Sequence, residues 1–126
     1  MIFVVDDDRM MAECIERAIR TEDSKVETKI FRNGIEAMAA IVDEVPEMIF
    51  LDVLLDGPDG FTFLNELMSY EDTEKIPVVV VSGIRFEEQS LKDYGVVGVL
   101  DKATMYPEQI RKYVRKYTGK EKNGGK

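Results

Sequence analysis

The 126-residue chain contains no histidine and a single cysteine, Cys14. An internal disulfide is therefore impossible, and the Cys and His ligand sets that hold zinc cannot be assembled. A reducing compartment suits such a chain, and a cytoplasmic location is expected. No stretch approaches the roughly 20 apolar residues of a membrane span, and the opening MIFVVDDD has neither the basic flank nor the cleavage site of a secretory leader. Membrane insertion is not expected. Positive charge is also short: 17 Lys and Arg stand against 25 Asp and Glu, a formal net charge of −8. Direct nucleic-acid binding, which needs clustered cations, is argued against.

What is present amounts to one domain. Its charge is unevenly spread, because residues 1–60 hold 15 acidic and 6 basic side chains while residues 104–126 hold 2 acidic and 7 basic. Four short apolar runs, IFVV at 2–5, MIFL at 48–51, VVVV at 78–81 and VGVL at 97–100, are continuous rather than alternating. Strands buried on both faces of a parallel sheet read this way. Val26 to Phe31 alternates apolar and polar residues and suits a half-exposed edge strand.

Helical spacing fills the intervals. Met11, Cys14, Ile15, Ala18 and Ile19 form one apolar face, which makes Cys14 a core residue in this reading. Ile35, Met38, Val42 and Val45 form a second face, Phe61, Leu64, Leu67 and Met68 a third, and Ile110, Tyr113, Val114 and Tyr117 a last one. A shorter helix is expected over 87–94, ended by Gly95. Strand and helix thus alternate into a doubly wound α/β domain over 1–118, followed by a flexible tail at 119–126.

In such sheets ligands gather at the carboxyl ends of the strands. The residues there are Asp6, Asp7 and Asp8 after the first strand, Asp52 after the third, Ser82 after the fourth, and Asp101 with Lys102 after the fifth. Carboxylates brought together from neighbouring strands repel one another unless a cation neutralises them. An all-oxygen set without His or Cys favours a hard divalent ion, Mg²⁺ in particular. One carboxylate, Asp52, is then a candidate nucleophile toward a phosphoryl donor, with Lys102 and Ser82 available to meet the phosphoryl oxygens. Taken singly, Asp8 reads as a helix N-cap, Ser82 and the Asp59–Gly60 pair as turn residues, and Lys102 as a solvated charge. Four strand ends that each present a required group are improbable by chance.

Together these residues resemble the receiver domain of two-component response regulators from Ile2 to about Thr118. The resemblance rests on VVDD at Val4–Asp7, Leu51–Asp52 followed by Asp59–Gly60, VVVS at Val79–Ser82, and Lys102 after the last strand. It implies a five-stranded parallel sheet in the flavodoxin-like order 2-1-3-4-5 with helices on both faces. It further implies phosphorylation of Asp52, with Mg²⁺ held by Asp7, Asp52 and the main-chain carbonyl of Leu54, and by Asp6 through water. The implied donor is a phosphohistidine on a sensor histidine kinase or a histidine phosphotransfer protein. The expected output is a switched surface near the fourth helix and fifth strand that binds or releases a downstream protein; Arg111, Lys112, Arg115 and Lys116 on the last helix either dock a target or form a solvated surface.

The chain departs from the family pattern at three places. Ala103 follows Lys102 where the family usually has Pro, and a cis peptide without proline costs about 2.5 to 4 kcal/mol. Val99 stands where the family commonly has Tyr or Phe; Tyr106 and Phe86 either substitute for that aromatic or pack under their helices. Asp56 occupies a position generally held by Pro. Leu54 and Ile84, two residues beyond the acceptor and the hydroxyl, are both apolar and imply slow self-hydrolysis. Two rivals follow: a pseudo-receiver that acts by protein contact without phosphorylation, and a Mg²⁺-dependent phosphohydrolase. The latter is disfavoured because Leu54 replaces the second Asp of the common aspartate phosphatases. Beyond its own phosphorylation and dephosphorylation, no enzymatic activity is expected.

Overall fold

The computed structural model describes residues 1–53, 59–84 and 91–118. In chain order these form β1 (Ile2–Val5), α1 (Arg9–Glu22), β2 (Thr28–Phe31), α2 (Gly34–Asp43), β3 (Met48–Leu51), α3 (Asp59–Met68), β4 (Val78–Ser82), a 3₁₀ turn (Lys92–Tyr94), β5 (Val96–Asp101) and α4 (Pro107–Tyr117). The five strands are parallel and lie in the order β2-β1-β3-β4-β5.

Continuous burial explains the continuous apolar runs. Every residue of β1, β3 and β4 is buried, and alternate side chains serve opposite faces of the sheet. Phe3 and Val5 pack with Ala37, Ile41, Phe63 and Leu64 on one side, while Ile2 and Val4 pack with Ala12, Ile15, Ile110 and Val114 on the other. β2 is the half-exposed edge, two residues shorter than its alternating pattern. Val26 is drawn into the preceding turn, where its N–H donates to the Asp23 carbonyl.

Helix ends follow local chemistry. The Asp8 carboxylate accepts the Met11 N–H and caps α1, and Asn33 does the same for α2 through Glu36. Gly95 closes the 3₁₀ turn with φ at 78°, a left-handed conformation that favours glycine. The rest of the helix expected over 87–94, and the tail at 119–126, fall on segments that include residues outside the described ones. In β5, Gly98 leaves a notch: a Cβ there would collide with the Tyr113 ring of α4.

Three helical faces differ from the periodic reading. On α1 the buried set is Ala12, Ile15, Ala18 and Ile19, and Cys14 is exposed. One residue is about 100° of helical rotation, so Cys14 lies well off the face that carries Ile15. On α3 the buried residues include Phe63, which the pattern through Phe61 passed over. The largest departure is α2, where Gly34, Ala37 and Ile41 are buried while Ile35 and Val42 are 74% and 83% exposed. The cause is close helix packing. A Cβ on Gly34 would stand 2.9 Å from the Phe63 Cβ, so α2 turns its small residues to α3 and leaves its bulkier stripe in solvent.

Substitutions on the two faces should therefore separate. Urea titration should show Ile41→Ala losing about 2 to 4 kcal/mol through cavity formation, whereas Val42→Ser should stay within about 0.5 kcal/mol. A large loss at Val42 would mean that α2 is rotated.

Candidate functional site

Parallel register builds the site. Val5 of β1 pairs with Leu51 of β3, so the residues that follow, Asp6 and Asp52, emerge side by side. The ladder continues one step beyond the strands, with the Asp52 N–H donating to the Val5 carbonyl and the Asp6 N–H to the Phe31 carbonyl, both at 2.9 Å. On the other flank, Ser82 ends β4 in register with Asp101, and the Lys102 N–H donates to the Ser82 carbonyl at 2.9 Å.

Within this frame Asp6, Asp52 and Ser82 are buried and Asp7 is exposed. Lys102 reaches across from the end of β5, its Nζ 2.9 Å from Asp52 Oδ2 and 3.0 Å from Asp6 Oδ2. The contact with Asp52 is a directed hydrogen bond. The contact with Asp6 is an ion pair only, because Asp6 Oδ2 is buried without a hydrogen-bond partner. Asp6 Oδ1 accepts the N–H of Asp8 at 2.9 Å. The Ser82 hydroxyl accepts the Ile84 N–H at 3.3 Å.

Burial raises the Asp6 pKa above the usual carboxylate value, and the Asp8 N–H and Lys102 offset this only in part. For Lys102, burial favours the neutral amine, but the hydrogen bond it donates to Asp52 and its ion pair with Asp6 outweigh it and hold the pKa above that of an ordinary lysine. The ammonium is retained.

The residues fit a divalent cation. One carboxylate oxygen from each of Asp6, Asp7 and Asp52 lies within 4.8 Å of the others. Three carboxylates against one ammonium leave two negative charges, the donors are hard oxygens, and one of them is buried without a hydrogen bond. Leu54, expected to add its carbonyl, lies outside the described residues, as do Asp56 and Phe86.

Other sequence expectations are corrected in place. Ser82 is the last residue of a strand, not a turn residue, and Asp59–Gly60 opens α3. Gly60 is required there, since a Cβ would collide with the Val53 backbone, the residue directly after Asp52. The Lys102–Ala103 peptide is trans, there being no cis peptide among the described residues. Asp101 forms this turn: its side chain accepts the Ala103 N–H at 2.7 Å and its carbonyl accepts the Thr104 and Met105 N–H groups. Asp101 was noted in the sequence only as a strand-end residue. The signal for its role is an Asp placed two before an available N–H, the pattern of an Asx turn.

Tyr106 is 58% exposed at the start of α4 and so does not pack under a helix. Arg115 of α4 makes a two-pronged pair with Glu22 of α1, at 3.0 and 3.2 Å, and Arg111 reaches Glu108 and Thr21. Two of the four cations expected to receive a target are thus engaged within the fold, while Lys112 and Lys116 are exposed.

Comparison with known proteins agrees with this geometry. Residues 2–115 match the response regulator receiver domain family. The response regulator PleD of Caulobacter vibrioides (strain NA1000 / CB15N) is 34% identical over 83 residues, covering 66% of this chain and 18% of PleD. A response regulator structure from Chloroflexus aurantiacus J-10-fl superposes with a TM-score of 0.80 at 25% identity, covering 92% of this chain and 94% of that one. The phosphorylated cyanobacterial phytochrome response regulator RcpA superposes with a TM-score of 0.72 at 29% identity, covering 91% and 88%. The chain belongs to the receiver domains of two-component response regulators, the phosphoacceptor modules of that signalling system. It spans about a fifth of the length of PleD. No described helix is long and apolar enough to cross a membrane.

The raised pKa of Asp6 sets a pH dependence. A carboxyl whose folded pKa exceeds its unfolded value, about 4, contributes stability below that value and loses it as pH rises through the folded pKa. Without divalent cation, Asp6→Asn should therefore melt higher than the parent at pH 7 to 8, and the gain should vanish as pH falls below about 4. Equal melting temperatures across that range would show that Asp6 is not strained by burial.

Proposed function

We propose that this receiver domain, spanning residues 1–118, is switched by phosphorylation of Asp52. The reading is carried by one observation, the Lys102 ammonium 2.9 Å from Asp52 inside a three-carboxylate cluster. Asp7, Asp52 and the Leu54 carbonyl would hold Mg²⁺ directly and Asp6 through water. Bound there, Mg²⁺ supplies neutralisation of the phosphoryl oxygens.

The chain's own groups do the rest. An Asp52 carboxylate oxygen attacks phosphorus of a phosphohistidine carried by a sensor kinase or phosphotransfer protein. An O–P bond forms, the P–N bond breaks, and the imidazole nitrogen leaves with the bonding pair. Lys102, kept cationic by its two carboxylate neighbours, follows the charge from Asp52 to a phosphoryl oxygen, and the Ser82 hydroxyl donates to another. Burial of Asp52 and Ser82 strengthens both interactions.

The signal leaves through the face around β5 and the helix expected over 87–94, which includes residues outside the described ones; Val97, Val99, Tyr106, Lys112 and Tyr113 line a cleft between β5 and the last helix, α4. A downstream protein is the expected occupant, in the cytoplasm, with no chemistry beyond the domain's own phosphorylation and dephosphorylation. The complete acidic set counts against the pseudo-receiver, and the phosphorylated form of RcpA gives the proposed state a precedent in a relative.

Intact mass after incubation with acetyl phosphate and Mg²⁺ tests the switch. One phosphoryl adduct is expected, absent with EDTA and absent in Asp52→Asn; an adduct that survives in Asp52→Asn would assign the wrong residue. The apolar side chains of Leu54 and Ile84 lead to a further expectation for the same sample. After removal of the donor, the adduct should persist for minutes or longer, and decay within seconds would refute slow self-hydrolysis.

A further inference from the structure

Lys102 has to hold its ammonium between two buried carboxylates, yet the residue after it lacks the ring that would stiffen the turn. The backbone on either side is tied down by other means. Before the turn, the Lys102 N–H is fixed to the Ser82 carbonyl. After it, three consecutive N–H groups converge on one residue: Ala103 donates to the Asp101 side chain at 2.7 Å, and Thr104 and Met105 donate to the Asp101 carbonyl at 3.1 and 2.8 Å.

We infer that Asp101 is a positioning residue for phosphoryl transfer: its carboxylate, by taking the Ala103 N–H, fixes the trans Lys102–Ala103 turn that aims Lys102 at Asp52. The inference rests on the proposed reaction at Asp52. Of the three bonds, only the one from Ala103 depends on the Asp101 side chain, so it alone is removed by substitution there. It also depends on the N–H of residue 103. Alanine at 103 is then a requirement of this turn and not a defect, because proline would remove the donor.

Misplacement of a charged group by about 1 Å can cost as much as a hundredfold in rate, whereas an amide oxygen can still accept the bond. Asp101→Ala should slow labelling by acetyl phosphate about tenfold, and Asp101→Asn should stay within about twofold of the parent. Ala103→Pro should slow labelling as well, although it installs the residue the family usually carries. In a Lys102→Ala background, Asp101→Ala should have no further effect, since the cycle isolates action through Lys102. Thermal melting of each variant separates unfolding from misplacement.

A second readout does not need the reaction. The carboxyl ¹³C resonances of Asp52 and Asp6 should coincide in the parent and Asp101→Asn, and should move toward those of Lys102→Ala in Asp101→Ala. Labelling of Asp101→Ala at the parental rate, faster labelling of Ala103→Pro, or an equal loss with and without Lys102 would overturn the inference. If the parent takes no adduct, the reading of Asp52 fails, and the carboxyl resonances alone decide whether Asp101 positions Lys102: unmoved resonances in Asp101→Ala refute it.

Discussion

Two carboxylates, Asp6 and Asp52, sit side by side at the buried ends of β1 and β3 with one ammonium between them. Burial of that kind is costly for any unpaired charge. The parallel pairing of Val5 with Leu51 makes the proximity unavoidable, and the crossover through β4 and β5 brings Lys102 to relieve it. The balance is incomplete, with two carboxylates facing one cation and Asp7 close by. The residual negative charge suits a small, highly charged cation, and burial at the same place holds Asp6 above its usual pKa.

How much of this could be read in advance depends on the kind of constraint. Strands buried on both faces leave nothing to alternate, so IFVV, MIFL and VVVV marked β1, β3 and β4 directly. The site followed, because residues at the end of a buried strand have few directions in which to go: Asp6, Asp7, Asp52 and Lys102 come just after strands and Ser82 ends one. Helical faces were less legible. On α2 both candidate faces carry apolar residues, and the choice between Ile35–Val42 and Ala37–Ile41 is made by the tight fit of Gly34 against Phe63, a contact between elements distant in sequence. Gly60 was noticed as a turn residue; its role in letting the start of α3 rest on the Val53 backbone is tertiary and carries no local signature.

One departure from the family pattern is absorbed by ordinary hydrogen bonding. Where a proline ring is missing after Lys102, the Asp101 carboxylate takes the freed Ala103 N–H, in a trans turn that its carbonyl also ties to Thr104 and Met105. Tyr106, weighed as a substitute for the aromatic missing at Val99, stands exposed at the head of α4. The basic helix, which suggested an outward-facing patch, has part of its charge engaged within the fold: Arg115, itself exposed, donates to Glu22 through two nitrogens and joins the last helix to the first.

The notch at Gly98 bears on how movement can spread. With the Tyr113 ring occupying the space of the missing side chain, β5 and α4 are keyed together. Well-packed interiors do not deform smoothly, so displacement of the strand must either carry the helix with it or withdraw the ring from its slot. A displacement at the Lys102 end of β5 would therefore meet α4 as a change in the seating of one ring instead of a gradual bend.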